Sequence, residues 1–472
     1  MKYKAKNALL EVVGLLLFAT LRADASTTVT LNGSACPVDA VITRDVCVIG
    51  GGASGTYAAI RLSDLGKSVV VVEQQDRLGG HTQTYTDPVT GGHIDYGVED
   101  WHNLPVVLDF FARLNVSLVT QSNSVYGTSQ YYDFSTGKSV PGYSAGDPTP
   151  GLTAYAAQLA ANYSYLEEGF GGIPYPVPSD LLLPFGEFVI KYSLQSVVSL
   201  IFSVSQGLGN LLAQPTLYVF KSFGLGIIQG FEEGYLTTAA NDNSLLYEHA
   251  YAELEPNVLL NSTILLVNRS SPNEANVLVS NPSGQTLLKC GKLVFAIPPK
   301  LNNLEGWDLS LSELSLFGQF TNSAYYTAIV RNSGLPSNIT FVNVSPNTIY
   351  QIPKLPGIYE ISPTGITGLL NVKFGSSQTL PDSEVQQQIL STIANLQVAG
   401  KTPGVPSLAV YSSHAPFELA VSPSAIAAGF YKELYALQGQ RNTYYTGAAF
   451  HTQDSSLLWQ FTEALLPSIT DS

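Results

Sequence analysis

The strongest chemical signal in the chain is a spacing of glycines. Gly50, Gly52 and Gly55 stand as G-x-G-x-x-G within the run GGGASG at 50–55. The apolar run RDVCVI at 44–49 precedes them as a short buried strand, and Ala58, Leu62 and Leu65 recur after them at helical spacing. Gly66 ends that helix, and SVVVVE at 68–73 reads as a second strand. A β-α-β unit opened by such glycines suits a dinucleotide. The first permits a tight turn, the second lets backbone approach a pyrophosphate, and the third lets helix and strand pack closely. The helix N-terminus around Ser54 offers unpaired amides to the phosphates. Glu73 lies 23 residues after Gly50, where a carboxylate accepts both ribose hydroxyls. A 2′-phosphate there would meet a like charge, which disfavours NADP.

More glycines follow at once, in RLGGHT at 77–82. Here the chain resembles the flavin-dependent amine oxidase superfamily, whose members carry R-x-G-G just after the ribose-binding acid. HIDYG at 93–97 resembles that family's second flavin-contacting strand. FAIPP at 295–299 resembles its strand into the substrate domain, and NTYYTG at 442–447 its returning C-terminal strand. The resemblance implies an α/β fold: a Rossmann-type, GR2-like FAD-binding domain with an inserted α+β substrate domain. It also implies FAD contacts from Arg77, Gly79, Gly80, His81, Gly97, Val98 and Gly447, with Val267 flanking the adenine. PFGEFVIKY at 184–192, GFY at 429–431 and LQG at 437–439 are similar to secreted fungal flavoproteins of the β-cyclopiazonate dehydrogenase-like branch. That branch implies oxidation, with possible ring closure, of a secondary metabolite such as an indole-tetramic acid.

Two departures restrict the chemistry. Where monoamine oxidases attach flavin through a cysteine before an aromatic residue, this chain has Val410 before Tyr411. The resemblance therefore implies non-covalent FAD, a histidyl linkage through His81 or His102 being the covalent alternative. The segment SAYYTAIV at 323–330 also lacks the lysine that amine oxidases place near flavin N5. What remains is hydride transfer from a carbon, with the protein orienting the substrate, excluding water and removing a proton. Glu99, Asp100, Trp101 and His102 follow the flavin-contacting strand. His102 is the first candidate base because imidazole titrates near neutrality, and Asp100 is a further one. Tyr411 is expected to wall the flavin face, with Tyr326 and His414 as lesser candidates. An amine or amino-acid oxidase and a fatty-acid double-bond isomerase are the alternative activities; the apolar segment 181–231 suits an acyl chain.

The whole chain sets limits on partners. Its 472 residues carry a net charge of −14 without a basic cluster beyond the first residues, which argues against nucleic acid and anionic surfaces. The expected partners are an apolar or heteroaromatic small molecule and oxygen or another electron acceptor, with no metal. Lys2, Lys4 and Lys6, an apolar core at 12–21 and Ala23-Asp24-Ala25 read as a signal peptide at 1–25, too short for a membrane span. Export predicts glycosylation at the N-x-S/T sites Asn32, Asn115, Asn162, Asn261, Asn268, Asn338 and Asn343. In an oxidising compartment Cys36 and Cys290 are the candidate disulfide, with Cys47 a buried apolar residue. The expected layout is an arm at 26–43 and an FAD-binding domain from 44–110, 236–300 and 426–472. A helical substrate domain at 111–235 and a substrate-domain sheet at 301–425 complete it.

Overall fold

A computed structural model of the chain describes residues 27–121 and 127–471. The expected signal peptide lies outside the described residues. Two seven-stranded sheets organise the rest. The first is parallel at its centre because its strands have no polar face: Val46 to Ile49 and Val69 to Val72 are buried throughout. Strands buried on both faces belong inside a parallel sheet covered by helices. Ala40–Ile49 pairs in parallel with Val69–Val72, which pairs in parallel with Val258–Leu259. On its other side Ala40–Ile49 runs parallel to Gly284–Phe295. The first part of that strand pairs antiparallel with Ala275–Asn281, and its end pairs in parallel with Thr443–Tyr445. Three distant pieces of chain thus complete one Rossmann-type sheet.

The run NPSG at 281–284 turns a hairpin, with Asn281 opposite Gly284. The residues on either side of Gly291 form one strand. Gly291 does not interrupt the strand, because pairing with Ala40–Ile49 resumes directly beyond it. The expected disulfide is corrected by this sheet. Cys47 and Cys290 lie on neighbouring strands with Cα atoms 5.7 Å apart and are bonded to each other. Cys36 is free and buried; it sits in the hairpin Thr27–Leu31 and Ser34–Val38, inside a separate small cluster. The arm is therefore structured, and the first Rossmann strand begins at Ala40.

The second sheet runs Ser407–Ser413, Ala324–Arg331, Leu369–Ser376, Gly357–Pro363, Ile339–Asn343, Thr128–Asp133 and Lys138–Ser139. Its last two strands come from the segment 111–235, expected to be wholly helical. Ile339–Asn343 offers them an edge, and tertiary pairing overrides the local reading. One face of the sheet packs on Asp382–Asn395, an amphipathic helix. The other face looks toward the Rossmann domain. Short helices between Thr149 and Glu233, interrupted by Pro and Gly, bury a large apolar cluster over that gap. The last helix, Ser455–Thr470, lies against Ala53–Asp64, where Trp459 Nε1 donates to the Ala53 carbonyl at 3.2 Å.

Candidate active site

The glycine loop leaves the first strand and enters Ala53–Asp64 at Gly52, with no side chain capping the helix. Its first-turn amides are left for a ligand. Gly50 has φ +99, and a β-carbon on it would come within 2.6 Å of Ile297. A β-carbon on Gly55 would overlap the Gly50 carbonyl. Ser54 is buried in the first turn. The Glu73 carboxylate accepts from the Gly51 amide at 2.6 Å and the Gln75 amide at 2.8 Å. The acid is thereby fixed at the loop.

Gly80 faces Gly52 across an open cradle. Gly79 and Gly80 both need left-handed φ values, +106 and +53. Arg77 stabilises this turn: its guanidinium donates to the carbonyls of Leu78, Gly80 and Thr82 at 3.1, 2.7 and 3.0 Å. Arg77 shapes the cradle through the backbone. Gly97 packs against the His81 carbonyl where no β-carbon fits, and the Val98 amide donates to that same carbonyl at 3.1 Å. His81 stacks on His414, ring centroids 4.2 Å apart, and burial together with Arg77 pushes it down to about 4. It is neutral at ordinary pH. Gly447, at φ +101, comes beside Ala296 at the same end of the sheet.

Val267 is not in this group. It is fully buried; its amide donates to the Gly306 carbonyl and its carbonyl accepts from Asn32 Nδ2 at 3.1 Å. The strand beside the acid is instead Val258–Leu259, and the Glu73 backbone bonds Leu259 and Ser262.

A cavity of ≈ 850 Å³ begins where the flavin-side strand ends, at Gly97, Glu99, Asp100 and His102. Its far walls are the second sheet and the short helices. His102 is not free to act as a base. Its Nε2 meets Asp454 Oδ2 at 2.7 Å, and a β-carbon on Gly226 would stand 3.4 Å from its Nδ1. Burial alone would lower the imidazole, but the charge and hydrogen bond of Asp454 outweigh it and raise the histidine. The ion pair in turn holds Asp454 at about 2 despite its burial. Asp100 is different: Oδ1 is buried and unbonded among the described residues, and burial beside Glu99 pushes it up to about 7.

Tyr411 and Tyr326 point away. Strand alternation sends both to the face covered by Asp382–Asn395, where Tyr411 donates to Asp382 at 2.9 Å. The neighbouring Tyr325 takes the cavity face, as does Lys373, which is paired opposite Thr327. A lysine therefore enters the cavity from the adjacent strand, held by Glu99 at 3.3 Å and Glu360 at 3.2 Å.

The sequence also gave no sign of a buried pair on the cavity wall. Lys221, on Thr216–Ser222, donates to the Leu166 carbonyl and lies 3.2 Å from His451 Nδ1. Burial pushes it down to about 7. Glu418 lines the same cavity from the segment after Ser407–Ser413, and burial pushes that carboxyl up to about 8, with the charge of Lys221 opposing in part.

Residues 48–114 match the NAD(P)-binding Rossmann-like domain family. The chain is 39% identical over 471 residues to the FAD-dependent oxidoreductase oblC of Cochliobolus heterostrophus, covering 96% of each. It belongs to this family of FAD-dependent oxidoreductases. It is also 34% identical over 439 residues to the β-cyclopiazonate dehydrogenase of Aspergillus oryzae, covering 91% of this chain and 94% of that one. Among solved structures, the CLA-producing fatty acid isomerase of P. acnes superposes with TM-score 0.74 at 18% identity, over 90% of this chain and 99% of that one. Putrescine oxidase bound to putrescine superposes with TM-score 0.64 at 15% identity, over 92% and 100%. Those two likenesses are of fold alone. The enzyme's cofactor is FAD, and the residues fit it. The uncapped helix and the Gly52–Gly80 cradle suit a pyrophosphate, Glu73 suits a ribose, and the buried Thr82 hydroxyl has no partner among the described residues.

Proposed function

We propose that the enzyme oxidises an apolar or heteroaromatic secondary metabolite, an indole-tetramic-acid-like compound being the model substrate, and passes the electrons to oxygen or another acceptor. The observation that carries this reading is the ≈ 850 Å³ cavity opening on residues 97–102 at the end of the flavin-side strand. Bound FAD supplies a hydride acceptor. The chain supplies the rest. Tyr131, Tyr143, Leu200 and Phe231 give aromatic and apolar walls that hold a planar substrate and displace water. Asp100 offers a carboxyl to an N–H or O–H of that substrate. The fixed ion pairs His102–Asp454 and Lys373–Glu99 keep the polar rim in one arrangement. Ring closure after oxidation belongs to the same reading.

Export is proposed with it. A disulfide within the Rossmann sheet suits an oxidising compartment. Asn32, Asn115, Asn162, Asn261 and Asn338 are exposed and Asn268 is half-buried. Asn343 is the exception: it is buried, donating to the Ile358 carbonyl at 2.7 Å and accepting from the Phe134 amide at 3.1 Å. A glycan has no room there.

The test is anaerobic: the holoenzyme is mixed with a panel of heteroaromatic metabolites, amines and unsaturated fatty acids. Bleaching of the flavin by heteroaromatic compounds is the expected result. Bleaching by amines alone would make the enzyme an amine oxidase.

A further inference from the structure

The oxidation needs a group to take the substrate's proton, and the residue first expected to do so is occupied. His102 has its Nε2 committed to Asp454. Asp100 has one oxygen sealed in the protein. Glu418 differs from both. It is buried, it lines the cavity, and no described residue sends a hydrogen bond to its carboxyl; Ser323 bonds only its backbone. Its neighbour Phe417 also lines the cavity and stacks near His81, centroids 6.0 Å apart. Gln453 donates to the Phe417 carbonyl at 2.6 Å. Phe417 thus reaches the loop that carries Gly79 and Gly80, and Glu418 follows it directly in the cavity wall.

Its segment is tied to the helix that carries Lys221, which lines the same cavity. Tyr218, one helical turn before Lys221, accepts from the Val421 amide at 2.7 Å, and Tyr431 donates to Tyr218 at 2.8 Å. These bonds pin Thr216–Ser222 to the segment that carries Glu418. Lys221 in turn donates to His451 Nδ1, since His451 Nε2 is turned to the Glu167 carbonyl at 2.9 Å. Glu167 and Asp454 are the other charged groups acting on Lys221, while Tyr218 and Tyr431 face Glu418. A carboxyl without hydrogen bonds in such a place binds its proton tightly, and the charge of Lys221 opposes that rise in part.

We propose that Glu418 is the base that accepts the substrate's proton and that Lys221 is the positioning residue that sets its proton affinity. The inference rests on the oxidoreductase reading above. In the step, a substrate carbon gives a hydride, with both electrons of its C–H bond, to the bound flavin. The adjoining N–H or O–H gives its proton to the Glu418 carboxylate, and the electron pair left behind closes a double bond between the two atoms. The carboxylic acid then returns its proton to solvent, and the two electrons leave to oxygen or another acceptor.

Two measurements on the holoenzyme test this. The first is infrared difference spectroscopy between acid and alkaline pH without substrate. The parent should show a carboxylic acid ionising near 8 that is missing in E418Q. In K221M it should persist and move to higher pH, because the amine whose protonation an ionised Glu418 favours is gone. The second is anaerobic flavin reduction. E418Q should be slower by about 10²- to 10⁴-fold, with FAD affinity and substrate dissociation constant kept, and should lose the rise in rate with pH that the parent shows. In K221M that rise should move upward with the infrared titration. An E418Q enzyme that reduces within a few-fold of the parent with its pH rise intact overturns the proposal, as does a titration unchanged by E418Q. If no compound reduces the parent flavin, the oxidoreductase reading of the cavity fails instead, and the infrared result still decides whether the pair exists.

Discussion

Gly80 and Gly52 face each other so closely that a β-carbon on Gly80 would stand 3.0 Å from the Gly52 α-carbon. The relation is asymmetric, since a β-carbon on Gly52 would meet nothing nearer than the Gly80 α-carbon at 3.9 Å. The backbone of Gly52, at φ −71, also accepts any residue. Gly52→Ala should therefore leave the protein's own packing unaltered while placing a methyl group where the pyrophosphate approaches. Thermal unfolding of the apoprotein should match the parent, and FAD titration should show affinity lower by tenfold or more. Equal FAD affinity would remove the cradle from the site.

Glu73 gives a second reading of the same site. Glu73→Ala removes a charge-assisted hydrogen bond, worth roughly 1.5–3 kcal/mol, so FAD should bind about tenfold more weakly or worse. Calorimetric titration of the apoprotein checks it.

How much of this was visible in the sequence follows from how local each feature is. The glycine loop, Glu73 and the 77–82 run all lie within 33 residues of chain, 50–82, and their spacing is enough to assign them. His102 was visible as a residue but not as an ion pair, because Asp454 is 352 positions away. Tyr411 and Tyr326 were taken over Tyr325 because alternation fixes which residues share a face and leaves open which face meets the cavity. Lys373 is not legible there because it enters from the strand paired with Ala324–Arg331, opposite Thr327. Lys221, Glu418 and His451 sit on three elements that only the tertiary fold brings together. Cys47 was misread for a related reason: the partner of a strand residue depends on sheet order, and Gly284–Phe295 had not been placed beside Ala40–Ile49.

The His102–Asp454 pair should be a stability element. Its histidine is raised from 6.5, so the contribution is complete below that value and is lost as pH rises through the higher folded value. Asp454, held at about 2 against 3.8, contributes above 3.8 and ceases to as pH falls through about 2. His102→Ala leaves a carboxylate without its partner. The Asp454 side chain keeps 19% exposure, which puts the cost near the lower end for a broken buried pair, about 3 kcal/mol. Denaturant unfolding from pH 5 to 9 should show that loss at the acid end and its narrowing toward the alkaline end. A parallel offset at every pH would mean that the pair does not titrate as described.

Export makes a chemical prediction. Non-reducing peptide mapping of secreted material should find Cys47 linked to Cys290 and Cys36 unmodified, with an amino terminus near Ser26. Glycopeptide mapping should find sugar on exposed sites such as Asn115 and Asn162 and none on Asn343. A Cys36–Cys290 peptide, or a glycan at Asn343, would contradict the sheet arrangement.

The central claim is that FAD in this site takes two electrons from a heteroaromatic metabolite held in the cavity. Single-turnover reduction under anaerobic conditions, followed by mass analysis of the product, tests it most directly. One equivalent of substrate should bleach the flavin completely and leave a product two hydrogens lighter, and air should restore the oxidised spectrum or an added acceptor should do so. A product of unchanged mass with the flavin oxidised at the end would contradict the claim and make the enzyme an isomerase.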